Sequence, residues 1–171
     1  WMGYEILKRG DIPILCTGDK DSKAYSGLSL FNPDKPEEGV QVIPDLGSIW
    51  EDDKGKVRAL GMKQYGLQQL IGDGTDGFKP TDLCGVKFGE KSALKLLEPC
   101  KTEKEVLEVV VQQYQKWYPT PFEYTAWNGA KIESDWKHML NLYHACCRMK
   151  ETKDDPLIAY DFYKRYGVTL E

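Results

Sequence analysis

Residues 12–21, Ile-Pro-Ile-Leu-Cys-Thr-Gly-Asp-Lys-Asp, decide how the chain folds. Ile12, Ile14, Leu15 and Cys16 form a short apolar run closed by Thr17 and Gly18. A run of that length between turn residues predicts a buried strand of a parallel sheet, where both faces are covered. The polar segment from Gly18 to Lys23 then opens a short helix. Ligands in α/β sheets bind beyond the carboxyl ends of the strands, so Asp19 and Asp21 stand where a site is expected.

Upstream, residues 2–9 are the end of an amphipathic helix stopped by Gly10. The chain opens at Trp1 inside that helix with no preceding cap, which predicts further sequence before it. Downstream, residues 31–36 form a loop with two prolines. Residues 40–43 and 48–50 are strands, and the pair forms a hairpin at the sheet edge, followed by an acidic turn at residues 51–55. Residues 60–71 keep their apolar side chains on one helical face, and a glycine-rich stretch at 72–77 ends that helix. Helices are predicted over 91–97, over 103–117 with Thr102 as N-cap, over 133–150, and over 156–166 before Gly167. Strands come first and helices after. The fold class is α/β, with part of a parallel sheet in residues 1–58 and a helical region in 59–171.

Of the 171 residues, 41% are hydrophobic and 29% charged, which suits one soluble globular unit. No apolar run approaches the ~20 residues of a membrane span. Charges throughout residues 1–15 exclude a signal peptide. The five cysteines are odd in number, scattered and without a CxxC pair, and the two histidines lie on one predicted helix. That pattern argues against zinc and for reduced thiols in the cytoplasm. A net charge of −4 gives no global attraction to nucleic acid, but a local basic face would be enough.

Three constellations carry chemistry. Asp19 and Asp21 can converge on a hard cation such as Mg²⁺, which takes oxygen ligands. The plainer alternative is an aspartate helix cap beside a solvated charge. In Gly72-Asp73-Gly74-Thr75-Asp76-Gly77, two aspartates at a helix C-terminus oppose its dipole, and a bound cation would compensate. The same residues also favour an Asx-Gly turn. In residues 84–93, a hairpin with Gly85 and Gly89 leads into a helix whose first turn holds Lys91 and Ser92. Its exposed N–H groups suit phosphate, and Lys79, Lys87, Lys91 and Lys95 gather around it. If the helix starts near Lys87, then Lys87, Lys91 and Lys95 share one face.

In this order the motifs resemble the 5′-nuclease superfamily: flap endonucleases, the 5′-nuclease domains of bacterial DNA polymerases, and bacteriophage 5′–3′ exonucleases. CTGDKDSKAYSG is similar to the family's strand followed by Asp-x-Asp, and LIGDGTDGF to its GD-x-x-D segment. CGVKFGEKSALKLL is similar to its helix–hairpin–helix element. The likeness is nearest to the bacteriophage enzymes and spans about residues 1–100. It implies a PIN-like partial sheet and a helix–hairpin–helix at about residues 72–97. It further implies two Mg²⁺ or Mn²⁺ ions on Asp19, Asp21, Asp73 and Asp76, with Asp19, Asp21 and Asp76 catalytic.

The resemblance extends to substrate and setting. The implied reaction is 5′–3′ hydrolysis of phosphodiester bonds in duplex DNA with a 5′ end or flap, or in the RNA of a hybrid. Lys79, Gly85, Lys87, Gly89, Lys91, Ser92 and Lys95 would grip the duplex backbone, and K⁺ would sit on the hairpin carbonyls. The implied setting is phage DNA replication in the cytoplasm of a bacterial host, with no membrane partner. Two departures bear on this. Lys87 stands where the family commonly has glycine, at the K⁺ site. The family's first-strand Asp and its Glu-x-Asp-Asp helix lie upstream of the matched part. The chain therefore corresponds to a C-terminal portion, with the metal site completed by an N-terminal segment or a second chain.

Other features read as structural. His138 and His144 are expected to be surface or half-buried helix residues. Trp117, Tyr118, Phe122, Tyr124 and Trp127 are expected to pack the C-terminal helices, with base stacking the alternative. Two competing functions remain: a non-catalytic DNA-binding module that keeps the hairpin, and a helical protein-interaction domain.

Overall fold

A computed structural model describes residues 1–75 and 77–170, which form a mixed α/β structure. Six α-helices, seven short strands and two 3₁₀ turns are present among the described residues. The helices are α1 (Met2–Lys8), α2 (Gly61–Ile71), α3 (Glu90–Leu97), α4 (Glu103–Trp117), α5 (Trp136–Cys147) and α6 (Ala159–Arg165). The strands are β1 (Ile14–Cys16), β2 (Ser29–Phe31), β3 (Val40–Val42), β4 (Ile49–Glu51), β5 (Val57–Ala59), β6 (Phe122–Thr125) and β7 (Lys131–Ser134). They make three small sheets: β1-β2-β3, the hairpin β4-β5, and the hairpin β6-β7. Strand β1 runs parallel to β2, and every other pairing is antiparallel.

At the centre lies α2. All its residues from Gly61 to Leu70 are buried, against α3, α4, α5, β5 and the 3₁₀ turn Lys20–Ala24. The single apolar face expected for this helix is corrected, because Lys63, Gln64, Gln68 and Gln69 are buried along with it. Some of their side-chain and main-chain polar atoms find partners, while Gln68 Oε1 and Gln69 Nε2 have none among the described residues. Lys63 Nζ donates to the Glu98 carbonyl at 3.0 Å, and the Gln69 carbonyl accepts from Tyr114 Oη at 2.9 Å. At Gly66 a Cβ would lie 2.8 Å from Val106 Cγ1, so the missing side chain lets α2 and α4 approach closely.

Helix α4 follows its prediction residue for residue. Thr102 Oγ1 caps it by accepting the Glu105 N–H at 3.2 Å. Val106, Leu107, Val110, Val111, Tyr114 and Trp117 bury one stripe.

Several expectations are corrected. Strand β1 is parallel as expected but exposed, with Ile14 51% and Leu15 38% accessible. Among the described residues it is an edge strand, hydrogen-bonded only to β2. Residues 40–43 and 48–50 do not pair with each other. β3 joins β2, and β4 turns at residues 52–55 to pair with β5, which was not anticipated. Asp52 drives that turn: its Oδ1 accepts the Lys54 and Lys56 N–H groups at 3.0 and 2.9 Å.

The helix expected over 133–150 is shorter, because β7 occupies residues 131–134 and Asp135 caps α5 through the His138 N–H at 2.8 Å. The helix expected over 156–166 covers only Ala159–Arg165. With β6-β7 set between α4 and α5, strands do not all precede helices. Among the described residues no helix is long and apolar enough to cross a membrane.

Candidate metal centre

The turn Lys20–Ala24 buries Ser22 and Ala24 against α2, and this docking fixes the aspartates before it. Asp19 is its N-cap, with Oδ1 accepting the Asp21 N–H at 3.0 Å, while the Asp19 N–H donates to Thr17 Oγ1 at 3.0 Å. Asp21 Oδ1 accepts a short hydrogen bond from Gln68 Nε2 on α2. A glutamine on the buried helix therefore sets the orientation of the carboxylate in the DKD loop.

Helix α2 stops at Gly72, and the chain reverses there. The Asp73 N–H donates to the Phe78 carbonyl at 2.9 Å, and the Phe78 N–H returns to Asp73 at 3.1 Å. Asp73 Oδ1 accepts the Thr75 N–H at 2.7 Å, which is the Asx turn anticipated as one alternative. Asp73 Oδ2 lies 2.6 Å from Lys20 Nζ. The carboxylate is 3% exposed while the ammonium is open to solvent. Burial works to raise the Asp73 pKa, but the Lys20 ammonium and the Thr75 N–H outweigh it and hold the carboxyl below its usual range.

Asp21 and Asp73 both act on the buried Cys147 thiol of α5. Burial first, then Cys146 and these two carboxylates, push that thiol well above its ordinary range. The two motifs, distant in sequence, meet beside α2, where Lys20 of the first pairs with Asp73 of the second and Gln68 bonds Asp21. Asp19 is present as a helix cap, the plainer of its two readings. Asp76 lies outside the described residues. Asp21 and Asp73 offer oxygen donors only, the type a hard divalent ion takes, and Asp73 already pairs with a cationic ammonium. No group of three or more His, Cys, Asp or Glu comes together as a metal site among the described residues.

The expected phosphate-binding residues are spread more widely. Lys79 is exposed and pairs with Asp82 at 3.7 Å. Gly85 closes a turn through its N–H to the Thr81 carbonyl at 3.0 Å, and Gly89 is the N-cap of α3. Because α3 begins at Glu90, Lys87 lies in the preceding loop, and the shared face of Lys87, Lys91 and Lys95 is corrected to Lys91 and Lys95 alone. Lys91 Nζ is held 3.0 Å from Glu51 on β4. Ser92 is exposed in the first turn of α3, where its N–H bonds the Gly89 carbonyl at 2.9 Å. Helices α2 and α3 pack together.

The histidines divide. His138 is exposed, but His144 is corrected to fully buried, with Nδ1 2.7 Å from Tyr65 Oη. Burial, and then the Arg148 guanidinium, push its pKa down to about 3, so it stays neutral. The aromatic residues also divide. Trp117 and Tyr118 are core residues, whereas Trp127, at the tip of the β6-β7 hairpin, is 98% exposed. Gln68, Lys23, Lys56 and Arg58, none of them anticipated, line a cleft beside this region, from α2, the 3₁₀ turn, the residue before β5 and β5. Only the tertiary fold brings them together, and no local pattern marks them. No protein-family model, curated protein or solved structure matches this chain.

Proposed function

We propose that the chain is part of a divalent-metal 5′ nuclease that hydrolyses phosphodiester bonds in duplex DNA bearing a 5′ end or flap. One observation supports this reading above the others. The DKD loop and the GDGTD turn meet at α2, with Gln68 bonded to Asp21 and Lys20 paired to Asp73. In this reading Asp19, Asp21, Asp73 and Asp76 hold Mg²⁺ or Mn²⁺, and bound metal supplies an activated water and a neutralised leaving oxygen. Lys20 lowers the Asp73 pKa, and Gln68 fixes the Asp21 carboxylate. Lys79, Lys87, Lys91 and Lys95 with Ser92 hold backbone phosphates, around a helix–hairpin–helix formed by α2, residues 72–89 and α3. The open edge of β1 supports a PIN-like sheet that a further strand would extend, and the rest of the metal ligands would arrive with that strand.

The test is cleavage of a 5′-labelled duplex and a 5′ flap in Mg²⁺ or Mn²⁺, with Asp21→Asn, Asp73→Asn and Asp76→Asn beside the parent. Metal-dependent cleavage lost in the three variants supports the reading. Salt-dependent duplex binding without cleavage would favour the non-catalytic module instead. Absence of both would sink both readings.

A further inference from the structure

Beside the carboxylates a cleft of about 130 Å³ opens between the 3₁₀ turn, β5 and the carboxyl half of α2. Four cations line it: Lys20, Lys23, Lys56 and Arg58, with Glu90 the single carboxylate in the lining. Lys20 is paired to Asp73 and Arg58 Nε to Asp52 at 2.8 Å, but Lys23 and Lys56 form no ion pair among the described residues. Gln68 also faces this cleft. Its Oε1 is buried and has no hydrogen-bond partner among the described residues, since its Nε2 is used by Asp21. A buried acceptor left without a protein donor is unfavourable, so a ligand that brings a donor gains there. Val57 and Leu67 add an apolar wall. A nucleotide supplies all three features: phosphate charge for the cations, a sugar hydroxyl or base N–H for Gln68, and a carbon face for the wall.

We infer that this cleft binds the terminal phosphate monoester of a 5′-terminal nucleotide, making the protein selective for 5′-phosphorylated ends. The assignment rests on the nuclease reading for its substrate, and Lys20 links the cleft to the carboxylates. Lys23 and Lys56 carry the phosphate, Arg58 supports it from β5, and Gln68 accepts from the nucleoside.

The experiment measures binding of a 5′-phosphorylated oligonucleotide and its 5′-hydroxyl counterpart to the full chain without divalent metal, using inorganic phosphate as competitor. The expected result is a preference of about tenfold for the phosphorylated end, as one charge-assisted contact would give. Lys56→Gln and Lys23→Gln should each reduce it, while Lys116→Gln, exposed on α4 and outside the cleft lining, should leave it intact. Competition by inorganic phosphate that spares 5′-hydroxyl binding also supports the site. Equal affinity for both ends, or a preference unchanged in Lys23→Gln and Lys56→Gln, overturns it. Preference with no Mn²⁺ binding that Asp21→Asn or Asp73→Asn weakens would keep the cleft and remove the nuclease reading. Cleavage without preference would do the reverse.

Discussion

Substituting Gly72 by alanine probes the turn that aims Asp73 at Lys20. The backbone there has φ +74° and ψ −163°, a region that only glycine occupies comfortably. Placing another residue there costs about 1–3 kcal/mol. A Cβ would also lie 2.3 Å from the Phe78 carbonyl oxygen and 2.9 Å from Lys79 Cα. Both are backbone atoms, so no rotamer change relieves the clash, and bending bond angles adds about 2 kcal/mol or more. The sum, about 3–5 kcal/mol, is a large fraction of the ~5–15 kcal/mol that stabilises a domain. In urea, with a slope of about 2 kcal/mol per M, the midpoint should fall by about 1.5–2.5 M. Gly74→Ala is the control, because nothing lies within 4 Å of its Cβ position and its φ is not in the left-handed region. It should stay within about 0.5 kcal/mol of the parent. A Gly72→Ala midpoint within about 0.3 M of the parent would refute the turn geometry and with it the placement of Asp73.

His144 should make the fold sensitive to acid. The folded state holds it neutral down to about pH 3, whereas the unfolded chain binds a proton below about pH 6.5. Its contribution is therefore intact above pH ~6.5 and lost as pH falls toward 3, at up to about 1.4 kcal/mol per pH unit. Subtracting His144→Gln unfolding curves from those of the parent should isolate this slope, and parallel pH profiles would rule it out. Thr102→Ala removes the α4 cap and should lower stability by about 1 kcal/mol with an unchanged denaturant slope. A shift under about 0.3 kcal/mol would mean that packing alone fixes the start of α4.

The sequence carried α4 in full because its apolar stripe and its cap agree, each a local signal. The DKD and GDGTD segments were legible as candidate ligands for the same reason: the strand and the helix end that present them are short-range features. What the sequence could not carry was burial. Ile14 and Leu15 look like core residues, yet β1 is an edge strand, and coverage depends on neighbours far along the chain. Conversely, Gln64, Gln68 and Gln69 look like an outer face but are buried because five elements surround α2. The β6-β7 hairpin did have a local signal, Asn128-Gly129 between alternating strands, and the aromatic residues around it masked the period. The cluster of Gln68, Lys23, Lys56 and Arg58 had none, since three separate elements contribute it.

The most direct measurement of the central claim is Mn²⁺ binding to the chain, followed by electron paramagnetic resonance, for the parent, Asp21→Asn and Asp73→Asn. The account predicts saturable binding at roughly millimolar Mn²⁺ or below. It also predicts that each substitution weakens binding by about tenfold or more. Identical titrations for all three proteins, or no bound Mn²⁺ in the parent, would contradict it.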